Sequence, residues 1–293
     1  MRAHVNSKLS QAINAKVDAL HAGAQAIKVV TKSIRNTQGL QQHHAIMEWL
    51  SPTDFPAQQH DIISRRQEGT GQWFVDSPEF KTWLQGSDKT LFCPGIPEAG
   101  KTMMAAIAID HLCGMAEGIG IGIAYLFCSY KAQTDQSAPS LLAALVKQLV
   151  QSRPEITAPV THVYDQHSKR GSRPSLDEMF SVLQSVCSNY TAVHIVVDVL
   201  DECADRDGAR GRLIDKLRNL QATTDVRLLF TSCFVPEITQ KFQSNPILEV
   251  RASEEDVRRF VAGQMSRLPN CIQRNDELTR AVQNKIVEAV DGM

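Results

Sequence analysis

The sequence carries almost no net charge: 31 basic against 32 acidic side chains leave −1 over 293 residues. Bulk electrostatics of that kind recruits neither nucleic acid nor an acidic surface, so recognition has to come from a specific site. No uninterrupted apolar stretch is long enough to span a bilayer, and the N-terminus lacks a signal-peptide core. The seven cysteines (93, 113, 128, 187, 203, 233 and 271) include no Cys-x-x-Cys pair. An odd, dispersed set predicts reduced thiols and a cytoplasmic protein rather than disulfides or zinc. The nine histidines show no metal-ligand spacing, and neither His43-His44 nor His194 has a partner cluster. Internal repeats and low-complexity tracts are also missing. What remains, 43% hydrophobic and 22% charged, is the composition of a folded soluble chain, and its 293 residues suggest one large domain or a domain with appendages.

Within that frame one loop stands out, Gly95-Ile96-Pro97-Glu98-Ala99-Gly100-Lys101-Thr102, directly after the apolar run Thr90-Leu91-Phe92-Cys93-Pro94. Gly-x-x-x-x-Gly-Lys-Thr is the P-loop pattern. Its glycines let successive N–H groups converge on phosphate oxygens, its lysine reaches the outer phosphates, and its threonine hydroxyl holds magnesium. The following helix, expected over 103–113, aims its positive end at the same phosphates. About a hundred residues later comes Val193-His194-Ile195-Val196-Val197-Asp198-Val199-Leu200-Asp201-Glu202. The β-branched run predicts a strand buried on both faces. A lone carboxylate at its end is costly unless it faces a cation, which gives Asp198 a place beside the magnesium of Thr102. Asp201 and Glu202, just past the strand, are positioned to orient an attacking water. The competing structural reading is an acidic turn capping a buried strand.

Val5 to Ile34 repeats apolar side chains at helical spacing and predicts an amphipathic helix, for packing or for self-association. A second helix over 41–50 ends at Ser51-Pro52. The polar stretch 51–71, with Pro56, Gly69 and Gly71, reads as a linker. Ser77-Pro78-Glu79 starts a helix, and strands and helices then alternate. Strands are expected at 121–130, 193–198, 226–231 and 247–250. Helices are expected at 140–151, 175–188 and 211–221, with two more after Ser253, the last carrying Leu278, Val282, Ile286, Val287 and Val290 on one side. Such alternation argues for an α/β fold with a parallel sheet covered on both faces and ligands at the carboxyl ends of its strands.

Trp49-Leu50-Ser51-Pro52, Arg65-Arg66-Gln67-Glu68-Gly69-Thr70-Gly71-Gln72-Trp73, the run from Leu91 to Pro97, Val197 to Cys203, and Leu228 to Ser232 together resemble fungal NACHT proteins. These are NOD-like receptors of the STAND class of P-loop NTPases, with a nephrocystin-3-like N-terminal region. The resemblance runs from about Ile46 to the C-terminus. It implies a three-layer P-loop NTPase with a mainly parallel sheet, preceded by an N-terminal helical segment and followed by the start of a helical domain. The implied organisation is 1–50 helical segment, 51–76 linker with a base-contacting loop (69–73), 77–252 NACHT core, and 253–293 the start of a helical lid. It further implies a signalling switch that binds ATP or ADP with magnesium, hydrolyses slowly, and self-associates or meets other STAND proteins. Gly95, Glu98, Ala99, Gly100, Lys101 and Thr102 take the cofactor-binding positions, Asp198 the magnesium side with Thr102, and Asp201 and Glu202 the hydrolytic positions. Three departures bear on activity: Glu98 stands where glycine is usual, Cys233 where a phosphate-sensing arginine is usual, and the chain ends before a winged-helix region and repeats, as a truncated member would. The alternative they raise is a non-enzymatic paralogue acting as a protein-interaction scaffold. A small-molecule kinase on the same scaffold is a poor reading, because nothing in the sequence resembles a kinase's acceptor site or its lid.

Overall fold

The computed structural model describes residues 39–116, 120–132, 136–203, 205, 208–265 and 276–291, and six separate helical positions (16, 21, 25, 28, 31 and 32). The rest of the helix expected over Val5 to Ile34 lies outside the described residues, as does Cys271. The chain forms two compact units, Met1–Trp49 and Leu50–Met293. In the first, helix α1 (39–50) runs to the Ser51-Pro52 step that the sequence marks as its end.

The second unit opens with helices α2 (Phe55–Ser64), α3 (Gln72–Asp76) and α4 (Pro78–Gln85). The stretch 51–76 is therefore not a linker. Asp54 caps α2 by accepting from the Ala57 N–H, and Pro56 sits in its first turn, where a missing N–H costs nothing. Gln59 is buried from α2 and donates to the Ala106 carbonyl at 2.9 Å. At α4 the expected serine cap is present, Ser77 accepting from the Phe80 N–H.

Strands β1 (Thr90–Pro94), β2 (Ile121–Phe127), β3 (Ala192–Asp198) and β4 (Val226–Ser232) make one parallel sheet in the order β1-β4-β3-β2. The segment 246–250 runs along the free side of β1. Leu248 N–H donates to Phe92 O and Val250 N–H to Pro94 O, although only Phe92↔Ile247 forms a formal bridge where the sequence predicts a full strand. Every residue of β3 is buried, as its unbroken apolar run requires. Helix α5 (Lys101–Met115) lies across β2, β3 and β4, with α2 against it. The return connections place α6 (Ala138–Ser152), α8 (Leu176–Cys187) and α9 (Ala209–Leu220) on the other face, as right-handed crossovers demand. This is the three-layer α/β architecture of P-loop NTPases.

Helices α7 (Ala158–Ser168) and α10 (Pro236–Lys241) fill connections, and after the sheet come α11 (Glu254–Gln264) and α12 (Asp276–Asp291). Helix α11 packs against α12 and begins the helical region expected beyond the sheet. Of these, α7 and α10 have no counterpart in the sequence reading. At the sheet's outer edge the Gln148 side chain stands in for a peptide group, accepting from Tyr125 N–H at 3.0 Å and donating to Tyr125 O at 2.8 Å.

Candidate functional site

The loop 95–100 leaves β1 and turns directly into α5, so α5 begins where the loop closes. Gly95 has to be glycine because the edge segment passes over it: a Cβ there would lie 2.4 Å from the Val250 carbonyl oxygen. Glu98 adopts φ 65° and is exposed, and Gly100 caps α5 at φ 90°. The unusual glutamate therefore does occupy a left-handed position. Its side chain points to solvent at the rim of a cavity rather than into the loop. Lys101 is buried, and its Nζ donates to the carbonyls of Gly95 (3.0 Å) and Ile96 (2.7 Å).

Asp198 ends β3 at 1% exposure. Its Oδ1 accepts from the Thr231 hydroxyl at 2.6 Å, and the Thr102 hydroxyl lies close enough to hold this carboxyl's pKa down. Burial pushes its pKa up to about 6, against the opposing pull of Thr231, Thr102 and Lys101. The structure thus brings Thr102 and Asp198 together across two different elements. One hydroxyl and one carboxylate suit magnesium, which takes its other ligands from phosphates and water. Among the described residues no group of three or more His, Cys, Asp or Glu forms a protein-only metal cage.

The turn after β3 is strained. Val199 holds φ 52°, rare for a β-branched residue, while its N–H donates to Thr231 Oγ1 at 2.8 Å. That turn presents Asp201 to the end of β4, where its Oδ1 accepts from Cys233 N–H (2.8 Å) and Ser232 Oγ (3.2 Å). Glu202 Oε2 accepts from Tyr130 N–H at 3.3 Å. The Cys233 thiol is raised by its partial burial and by Asp201, with Lys101 opposing, so it sits between the P-loop lysine and the acidic turn. Thr231 is the polar residue here that the sequence does not single out. The β3–β4 register, in which Val197 faces Phe230, puts the next residue, Thr231, beside Asp198.

Beside the loop opens a cavity of about 550 Å³, bounded by Glu98, Ala99 and Gly100 of the loop, Met103 and Met104 of α5, Thr70 and Trp73, and Val257, Phe260 and Val261 of α11. Its wall is predominantly apolar. The stretch 69–73, expected to approach a base, forms one side of it. Asp256 holds that side in place, its Oδ2 accepting from Gly71 N–H (2.9 Å) and Trp73 Nε1–H (3.0 Å).

A parallel sheet, a P-loop leading into a helix, and a buried acid with two hydroxyls at the end of the third strand define a P-loop NTPase module. The nephrocystin 3 N-terminal family model matches residues 69–233, more than half of the chain, and the chain belongs to that family. Curated proteins include no match to it. Among solved structures it is similar to a Walker-type ATPase of Pyrococcus abyssi (13% identity, 78% of this chain and 64% of that one, TM-score 0.46). It is also similar to the Drosophila ORC bound to DNA (14%, 78% and 55%, 0.46) and a DNA replication initiation factor (12%, 78% and 62%, 0.43). The chain spans about three-fifths of the length of such structures.

Proposed function

We propose that the second unit binds ATP or ADP with magnesium, as the nucleotide module of a STAND-type, NOD-like-receptor-related signalling switch in fungal non-self recognition or cell-death signalling. The observation that carries this is the adjacency of two features at the start of α5: a loop with a buried lysine, and an apolar cavity large enough to admit a base and ribose directly beside it. In this reading Glu98, Ala99 and Gly100 line the phosphate path with backbone N–H groups, while Gly95, whose own N–H donates to the Ser232 carbonyl, makes the turn out of β1. Lys101 exchanges its two carbonyl partners for phosphate oxygens. Thr102 and Asp198 hold the magnesium, which when bound screens the phosphate charge. Asp198 is then ionised, its Thr231 bond fixing the orientation of the carboxylate.

Asp201 and Glu202 are the candidates for orienting water. Each already accepts from a protein N–H, which favours slow hydrolysis and a switch rather than a turnover enzyme. Cys233 offers no charge-assisted hydrogen bond to a terminal phosphate where a guanidinium would. Helix α1 and the segment before it are the candidates for self-association or for meeting other STAND proteins. The second reading, a scaffold that no longer binds nucleotide, draws its support from Glu98 at positive φ and from Cys233.

Thermal unfolding separates the two. At ATP and magnesium about 100-fold above Kd, binding linkage contributes about 2.7 kcal/mol, raising Tm by about 5 °C or more in a domain of this size. An unchanged Tm at millimolar nucleotide would leave the scaffold reading standing.

A further inference from the structure

Helix α11 begins with three acids after its Ser253 cap, and two of them pair along the helix: Glu254 with Arg258 and Glu255 with Arg259. Asp256 has Phe260 four residues on and turns the other way. Its single Oδ2 takes two N–H donors from the start of α3, 183 and 185 residues distant, Trp73 Nε1 and the backbone N of the cap residue, Gly71. Arg259 adds a third tie, Nη1 to Gly69 O at 2.9 Å. The stretch 69–73 has no room to drift on its far side. Gly71 sits at φ 73°, and a Cβ there would lie 2.3 Å from Ile107 Cδ1 and 3.0 Å from Met104 Cε, both on the helix that follows the P-loop. The stretch is thus clamped between α5 and α11, and the clamp forms two walls of the cavity beside the phosphate loop.

We propose that Asp256 is a positioning residue for the nucleotide: by fixing the Trp73 indole and the Gly71 backbone, it makes the shape of the base cavity depend on the docked position of α11. The proposal rests on the nucleotide reading above for its ligand. A ligand filling the cavity touches Trp73 and α11 at once, so it favours the docked arrangement only as strongly as it prefers that arrangement to an undocked one. A carboxylate bond to an indole N–H is charge-assisted, and removing it leaves Trp73 Nε1 and Gly71 N–H to find other acceptors. Through this residue nucleotide occupancy and the placement of the helical region become a single equilibrium, as a switch requires.

The test uses the full chain with Asp256→Ala and Asp256→Asn, and Trp73→Phe to assign the indole signal. Without nucleotide, Asp256→Ala is expected to shift Trp73 emission and to speed amide exchange in α11 while β1 and β3 stay protected. Asp256→Asn, which keeps an acceptor oxygen, is expected to fall between it and the wild type. With a fluorescent ATP analogue and magnesium, Asp256→Ala is expected to raise Kd about 10- to 100-fold and to slow α11 exchange less on binding than the wild type does. Wild-type Trp73 emission and α11 exchange in Asp256→Ala would overturn the clamp. Altered emission and exchange with an unchanged Kd would overturn the positioning role. If the wild type binds no analogue, the nucleotide reading and the positioning role both fall, and the nucleotide-free signals still decide whether the clamp exists.

Discussion

Glu98 holds φ 65°, a region that L side chains enter at a cost of about 1–2 kcal/mol. Glycine enters it freely but leaves a more flexible unfolded chain, which returns part of that gain. Glu98→Gly is therefore expected to stabilise the protein by about 0.5–1 kcal/mol in urea unfolding and to tighten nucleotide binding. An unchanged midpoint would mean that the loop relaxes around the glutamate. Asp198 makes a second residue-scale case. Its folded pKa of about 6 lies above the ordinary 3.8, so its stabilising contribution is complete below 3.8 and lost as pH rises through 6. At pH 7.5 the ionised, buried carboxylate weakens the nucleotide-free fold. Asp198→Asn should raise unfolding stability there by on the order of 3 kcal/mol, with the gain vanishing below pH 4, and should abolish the magnesium dependence of binding. A destabilised Asp198→Asn protein at pH 7.5 would show that the carboxylate's hydrogen bonds outweigh its desolvation.

At the scale of elements, β3 and α4 meet through a buried imidazole. His194 packs edge-on against Trp83, ring centroids 5.3 Å apart, and neither of its ring nitrogens has a hydrogen-bond partner among the described residues. Burial, and then the cross-strand neighbour Arg227, lower its pKa to about 4 from 6.5. A depressed folded pKa means that this contribution is complete above 6.5 and is lost as pH falls through 4. Wild-type protein is expected to lose on the order of 3 kcal/mol through this residue over that window, and His194→Phe, which keeps the ring stack, should lose correspondingly less. Parallel pH profiles for the two proteins would remove His194 as the cause.

Much of this architecture is legible in the sequence because the cues are local. The unbroken β-branched run of β3, the Ser77, Ser175 and Ser253 caps, and the Gly95–Thr102 loop each act within a few residues. Helix α2 is misread because Pro56 looks like a breaker, when after Asp54 it is a first-turn residue. The 247–250 edge is overread because its apolar pattern says nothing about how many ladder bonds it makes. The cavity is the least legible part of the site, since its walls come from segments some 180 residues apart. The one sequence signal for Asp256 is slight: it is the acid of its trio with no arginine four residues on.

At the scale of the whole molecule, the second unit combines a sheet whose carboxyl ends carry the P-loop, Asp198 and the Asp201 turn with a helical region tied back to the cavity by Asp256 and Arg259. That arrangement gives a bound nucleotide contacts on both sides of a joint. A degenerate scaffold would need neither the buried lysine nor the apolar cavity beside it. The central claim is that this site binds nucleotide. The most direct test is titration of a fluorescent ATP analogue with magnesium into the purified chain, beside Lys101→Ala. Saturable binding that weakens at least about tenfold in Lys101→Ala, a loss of about 1.4 kcal/mol, is the predicted result. Binding absent from both proteins, or equal in both, would contradict it.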